Sequence, residues 1–294
     1  MDRDVANKSY SVYKHAAGSS SARLECLLWE QEVVSSNLAY PTCEKEIESR
    51  RALYFVKVIV YKAIFIDIDD TLLDYIPCCR EAFNYALGVL TTEGGLTAKR
   101  SNNAMVQKQS DLFDLFFEIS GRLFSEAKHG LHTVAEVMEL YPQEFIEKSG
   151  LAEGLTTNDQ QHMTNSFKQA FRAAWGTTHT LVPEAKEMLD TLKNKGYRLF
   201  AASNSFGHLQ RSRLEHAGIL GYFEDTYISM DIGYDKPDIR FYEEALRRCG
   251  LPASEVLMIG DSMTTDVLGA QAAGMDALFF DRKKDSLLEL TRHL

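Results

Sequence analysis

Several things the sequence lacks narrow its class. It has no basic excess: Lys and Arg total 32 against 42 Asp and Glu, a formal net charge of −10. Nucleic acid polymers and anionic membranes both reward a basic surface, so neither is expected as the main partner. It has no long hydrophobic run. The longest apolar stretch, 52–66, is interrupted by Lys57 and Lys62 and is too short for a membrane span. No basic-apolar-small leader opens the chain, so export is not expected. It has no cysteine framework either. The five cysteines, Cys26, Cys43, Cys78, Cys79 and Cys249, are odd in number and show no CxxC spacing. That usage fits a reducing, cytoplasmic setting. Internal repeats are absent as well.

What is there suits a soluble globular chain: 45% hydrophobic and 25% charged residues over a length of 294. At about 150 residues per domain this predicts one large domain or two ordinary ones, with enough chain to bury a core without staples. Residues 1–59 differ from the rest. They hold Ser19-Ser20-Ser21, scattered charges and no sustained period. They read as a disordered or accessory extension, or as a mis-assigned start. A compact domain begins naturally near Val60, and valine codons can serve as bacterial starts.

From Lys62 the pattern becomes regular. Ala63-Ile64-Phe65-Ile66 is a short apolar run of the kind buried on both faces of a sheet. Similar runs recur at 197–202, 256–259 and 277–280, with helical periods between them. One helix is expected from Pro183 to Gly196, and another from Pro237 to Gly250. This alternation predicts a parallel sheet covered by helices. Residues 77–178 break it. Leu112, Leu115, Phe116, Ile119 and Leu123 form one helical stripe; Val134, Val137, Met138, Tyr141 and Phe145 a second; Met163, Phe167, Ala170, Phe171 and Ala174 a third. The expected organisation is an α/β core over 60–76 and 179–294, with an all-helical module inserted over 77–178.

Four polar elements lie at or just beyond the strand ends, where open parallel sheets bind ligands. The first is Asp67-Ile68-Asp69-Asp70-Thr71. Its period of two aims Asp67 and Asp69 to one side. Carboxylates that close need a cation between them or a shared proton, which leaves open a hard metal site, a nucleophile paired with an acid/base, or a plain turn. The second is Ser203-Asn204-Ser205, with groups that can donate to phosphate oxygens. The third is Lys236 in Asp235-Lys236-Pro237-Asp238. The fourth is Gly260-Asp261-Ser262-Met263-Thr264-Thr265-Asp266. Together they supply what phosphoryl transfer through a carboxylate requires.

This ordered set resembles the haloacid dehalogenase superfamily of phosphatases over about residues 62–282. The resemblance implies a Rossmann-like parallel sheet with an inserted all-helical cap. It implies that Asp67 attacks phosphorus and carries an aspartyl-phosphate, and that Asp69 protonates the leaving oxygen and then activates water. It implies Mg²⁺ held by the carboxylates of Asp67 and Asp261 and the main-chain carbonyl of Asp69. Ser203, the backbone around Asn204, and Lys236 are then expected to hold the phosphoryl oxygens, and Asp266 to orient Lys236 or a metal-bound water. Dehalogenases of the superfamily lack an acid/base at the position of Asp69, so phosphate esters are the expected substrates.

The Phe65–Asp74 run, Ser203-Asn204, the stretch 236–242 and 260–270 resemble the bacterial pyrimidine 5′-nucleotidase branch. Asp70 replaces the Gly of many sugar-phosphate phosphatases. Ser205 and Met230-Asp231 depart from the branch's usual Gly and Ser-Glu. The expected partner is a small phosphorylated metabolite, first of all a nucleoside 5′-monophosphate. Sugar phosphates or phosphoglycolate, a phosphotransferase or mutase, and a non-catalytic binding role are the alternatives. Phe113, Phe116, Phe117, Phe124, Phe167 and Phe171 are expected mainly in the helical core. Tyr75 and Trp175, which flank the two crossings into the inserted module, are the better pocket residues. Cys78-Cys79 is expected to pack, His208 and His216 to be solvated or packed, and Lys283-Lys284 to lie on the surface.

Overall fold

The computed structural model describes residues 61–93 and 102–294. The expected extension over 1–59, and Val60 with it, lies outside the described residues. Tyr61–His293 forms one compact unit. Its sheet has five parallel strands: β1 (Ala63–Ile66), β2 (Arg198–Ser203), β3 (Asp225–Ile228), β4 (Val256–Gly260) and β5 (Asp276–Phe279). The order is β3-β2-β1-β4-β5, so β1 is central and the winding reverses beside it. Ile66 pairs with Ala201 on one side and Ile259 on the other. This register brings the carboxyl ends of β1, β2 and β4 level, at the crevice where such sheets bind ligands.

Four helices form the insertion that follows β1: α1 (Tyr75–Glu93), α2 (Asn102–Lys128), α3 (Val134–Lys148) and α4 (Thr157–Trp175). Thr133 begins α3 with a capping box closed by Glu136. Thr156 caps α4. After the insertion come α5 (Ala185–Asn194) and α6 (Gly207–His216), then a short α7 (Ser229–Ile232) and α8 (Ile239–Cys249). Among the described residues, no helix is long and apolar enough to cross a membrane.

Three elements differ from the sequence reading. Helix α8 begins at Ile239 rather than at Pro237, because Asp238 caps it by accepting from Arg240 N–H. Strand β3 was not among the expected runs. It holds four residues, opens on the exposed Asp225, and buries only Thr226, Tyr227 and Ile228, so it carries too little apolar signal to stand out. Helix α5 begins at Ala185 rather than at Pro183. Glu184 adopts φ +67, a left-handed conformation that cannot belong to the first turn.

The helical insertion has its own core, built from aromatic rings. Phe83 of α1 is fully buried and meets four others: Phe113 at 5.4 Å, Phe116 at 5.1 Å, Phe145 at 5.4 Å and Phe167 at 5.9 Å between ring centroids. These lie on α2, α3 and α4, so a single side chain ties all four helices together. A second cluster, around Phe65, Phe200 and Tyr227, fills one face of the sheet. Cys78 and Cys79 are fully buried within the helical core, as packing residues are. Replacing Phe83 with Ala is expected to cost about 3–5 kcal/mol of stability, the range for a buried aromatic truncated in a core. Urea denaturation measures it, and a loss below about 1 kcal/mol would show that the four helices do not depend on this ring.

Candidate active site

The backbone of β1 continues one residue past the strand, where Asp67 N–H donates to Ile259 C=O at 2.9 Å. This holds the Asp67 carboxylate, buried, at the head of the sheet. The chain then turns back: the N–H groups of Leu72 and Leu73 both donate to Ile68 C=O. The turn requires φ +62 at Asp70, a region that short polar side chains tolerate next best to glycine. The Asp70 carboxylate accepts from Tyr75 N–H at 3.2 Å. Arg282, beyond β5, joins it to Asp74.

Lys236 sits in the loop before α8 and is 4% exposed. Its ammonium donates to Asp67 Oδ1 at 2.6 Å, Asp266 Oδ1 at 2.6 Å and the carbonyl of Ala202 at 2.9 Å. All three of its protons therefore have acceptors. The backbone of Lys236 is clamped as well. Its N–H donates to Asn204 Oδ1, and Asn204 Nδ2 donates to its C=O, both at 2.8 Å. The Asn204 side chain thus shapes the lysine loop. Asp266 lies in the wide turn Met263–Leu268, and its Oδ2 accepts from Ser262 N–H at 2.9 Å. Gly260 makes room for this: a Cβ there would run into the Asp266 carboxylate.

Asp67, Asp261 and Asp266 bring carboxylate oxygens within 4.8 Å of one another. The set offers only hard, anionic oxygen donors, which fits a cation of the Mg²⁺ type and not a soft one. Burial raises Asp67 well above the ordinary carboxylate range, although Lys236 pulls it down. Asp261 is pushed up to about 7, mainly by burial and then by the charges of Asp266 and Asp70. Burial alone would lower Lys236, but Asp266 and Asp67 outweigh it and hold the ammonium charged.

Asp69 stands apart from this cluster. Its carboxylate accepts from Arg213 Nη1 and from Gln210 Nε2, each at 2.7 Å. Gln210 also donates to Ser203 Oγ at 2.9 Å, which links the serine at the end of β2 to the same network. The sequence reading missed Arg213 and Gln210. A signal for them existed: in α6 they share the inward face with Leu209 and Leu214, so two polar residues sit at buried positions of a helix. His208 and His216 are exposed, as are Lys283 and Lys284.

A cavity of about 430 Å³ opens above these groups. Its polar end holds Asp67, Asp69, Ser203, Lys236 and Asp261, and its walls come from the helical insertion. Tyr75 and Trp175 line it. So do Phe116, Phe117, Phe124 and Phe171; all six phenylalanines expected mainly in the helical core do pack there, Phe113, Phe116, Phe167 and Phe171 buried within it and Phe117 and Phe124 partly buried against it. The rings serve both roles because α2 and α4 place one edge of the insertion's aromatic core along the cavity.

The raised Asp261 predicts a pH signature. The unfolded chain binds its proton near pH 3.8 and the folded protein near 7. Between these values the folded state holds more protons, so in chelator its stability falls as pH rises. Asp261→Asn is expected to lose that part of the slope, and a divalent cation to oppose it. Thermal melts from pH 4 to 8 check this. Parent and variant with parallel profiles would contradict it.

Known proteins similar to this chain bear on the site. A family model described as haloacid dehalogenase-like hydrolase matches residues 61–274. A glyceraldehyde 3-phosphate phosphatase of Methanothermobacter thermautotrophicus is 30% identical over 74% of this chain and 84% of its own. The pyrimidine 5′-nucleotidase PynA of Streptococcus pneumoniae is 29% identical over 75% and 84%. The solved structure of the putative HAD-hydrolase YfnB of Bacillus subtilis, bound to magnesium, superposes with a TM-score of 0.60 at 23% identity, over 77% of this chain and 90% of that one, a likeness of fold. Its sheet, its inserted helices and the matched span make this chain a member of the haloacid dehalogenase-like hydrolases.

Proposed function

We propose that the protein is a Mg²⁺-dependent phosphomonoester hydrolase that works through an aspartyl-phosphate on Asp67. The observation that carries this reading is the junction of two chemistries in one cavity: buried carboxylates and a buried lysine at one end, aromatic walls at the other. Lys236 covers Asp67 Oδ1. Among the described residues no group donates to Oδ2, which is the attacking atom in this reading. Oδ2 bonds to phosphorus, the bond from phosphorus to the leaving oxygen breaks, and Asp69 gives that oxygen its proton. Asp69 then takes a proton from water as the water oxygen attacks phosphorus. The bond from phosphorus to Asp67 breaks, which frees inorganic phosphate and restores both carboxyl groups.

The difficulty in this reaction is the approach of an anionic nucleophile to an anionic phosphoryl group, a repulsion that grows in a partly desolvated site. Lys236 offsets part of it. Asp67 and Asp261, with the Asp69 carbonyl, are the groups proposed to hold Mg²⁺, which supplies charge neutralisation of the phosphoryl oxygens. Ser203 and the backbone beyond it donate to those oxygens. The carboxyl of Asp69 favours esters over halides, because halide departs without a proton. Of phosphate esters, nucleoside 5′-monophosphates match the cavity best: a flat base can stack on its rings. The similarity to a glyceraldehyde 3-phosphate phosphatase supports a second reading, sugar phosphates.

Phosphate release from nucleoside monophosphates, sugar phosphates and phosphoglycolate, with and without Mg²⁺, tests the reading. Asp67→Asn is expected to abolish turnover. Lys236→Met is expected to lower it by about 10²–10³-fold, the order for one lost charge stabiliser. Preference for sugar phosphates would keep the mechanism and replace the substrate. Transfer of labelled phosphate to a second sugar or nucleoside would identify a transferase. Turnover by Asp67→Asn would overturn the mechanism.

A further inference from the structure

The mechanism leaves one buried charge unused. Arg213 is fully buried, and its side chain makes four distinct contacts. Nη1 donates to Asp69 Oδ1 at 2.7 Å and to Gln210 Oε1 at 2.7 Å. Nε donates to the carbonyl of Thr178 at 3.2 Å. The guanidinium carbon lies 3.9 Å from the Trp175 ring centroid. Nη2 has no partner among the described residues. Removing a guanidinium from water is costly, and packing alone does not require a charge at this place. A planar fork is well suited to fix the orientation of a carboxylate.

We infer that Arg213, with Gln210 beside it, is a positioning residue for Asp69. This rests on the reading of Asp69 as the general acid and base. Arg213 takes one lone pair of Oδ1 and Gln210 one of Oδ2. Each oxygen keeps a second lone pair, and a quarter of the Asp69 side chain stays exposed to the cavity. The carboxyl group is therefore held in one plane while an edge remains available for the proton. Trp175 covers the guanidinium from the cavity side, so water does not compete for it. Gln210 reaches Ser203 at the same time, which ties the proton-transfer group to the serine expected to hold a phosphoryl oxygen.

In the first step, formation of the aspartyl-phosphate, a residue that acts through the general acid should matter only where the leaving group needs a proton; hydrolysis of the aspartyl-phosphate, where Asp69 acts as base, is common to both substrates. Glycerol 2-phosphate has such a leaving group; p-nitrophenyl phosphate does not. Arg213→Met is expected to lower kcat/KM for glycerol 2-phosphate by about 10²-fold, the smaller end of what a general acid contributes, and to change the p-nitrophenolate burst by less than about threefold. Added to Asp69→Asn, it is expected to lower turnover of glycerol 2-phosphate no further, as for residues acting as one unit. Arg213→Lys, which keeps the charge and loses the fork, is expected to recover only part of the rate. If Arg213→Met does not fold, Gln210→Leu frees the other oxygen and carries the same comparison. Equal losses in kcat/KM for glycerol 2-phosphate and in the rate of the p-nitrophenolate burst would overturn the inference and leave the mechanism standing. Full activity of Asp69→Asn on glycerol 2-phosphate would remove the mechanistic reading of Asp69 and the inference with it.

Discussion

A lysine buried between two carboxylates is the constraint on which the rest of this structure depends. Lys236 bridges Asp67 and Asp266 with equal 2.6 Å contacts, in a place where neither charge is stable alone. The bridge dictates much of its surroundings. The loop must deliver the lysine at one height above the sheet, so Asn204 grips its backbone from both sides. Asp266 must approach the end of β4, so residue 260 has no side chain. Three strand ends must be level, which the in-register pairing of β1 with β2 and β4 provides.

That balance is incomplete by design of the donor set. Three carboxylates face one ammonium, and burial, reinforced by the excess negative charge, raises the proton affinity of Asp67 and Asp261. A site of this kind gains from any cation or proton that enters it. A dianionic ester is a poor visitor without one. The same electrostatics therefore links metal, nucleophile and fixed lysine into one proposed unit rather than three separate devices.

The helical insertion answers a different need. A shallow crevice at the head of a sheet recognises phosphate but little else. α2 extends over it and shares its aromatic residues between two tasks: Phe113 packs inward, whereas Phe117 and Phe124 are only partly buried and line the cavity. Trp175, where α4 runs back toward the core, both walls the cavity and lies on Arg213. The position of the Asp69 carboxylate thus depends on contacts from the insertion as well as from the core.

The sequence by itself determined the alternation of strands and helices, because strands buried on both faces are written as unbroken apolar runs and amphipathic helices as periods. It also marked Asp67, Asp69, Ser203, Lys236, Asp261 and Asp266, because each lies within a few residues of a strand end or a helix start that local chemistry can announce. Strand β3 escaped notice, since three buried residues make no pattern. The tertiary structure alone decided the partners. Arg213 and Gln210 meet Asp69 across 144 and 141 residues of chain, and Asn204 meets Lys236 across 32. It alone decided which cap aromatics face the cavity, because one helical stripe serves both an inner core and a pocket wall. Contacts of that kind follow from how elements pack, and no local period encodes packing between segments so far apart.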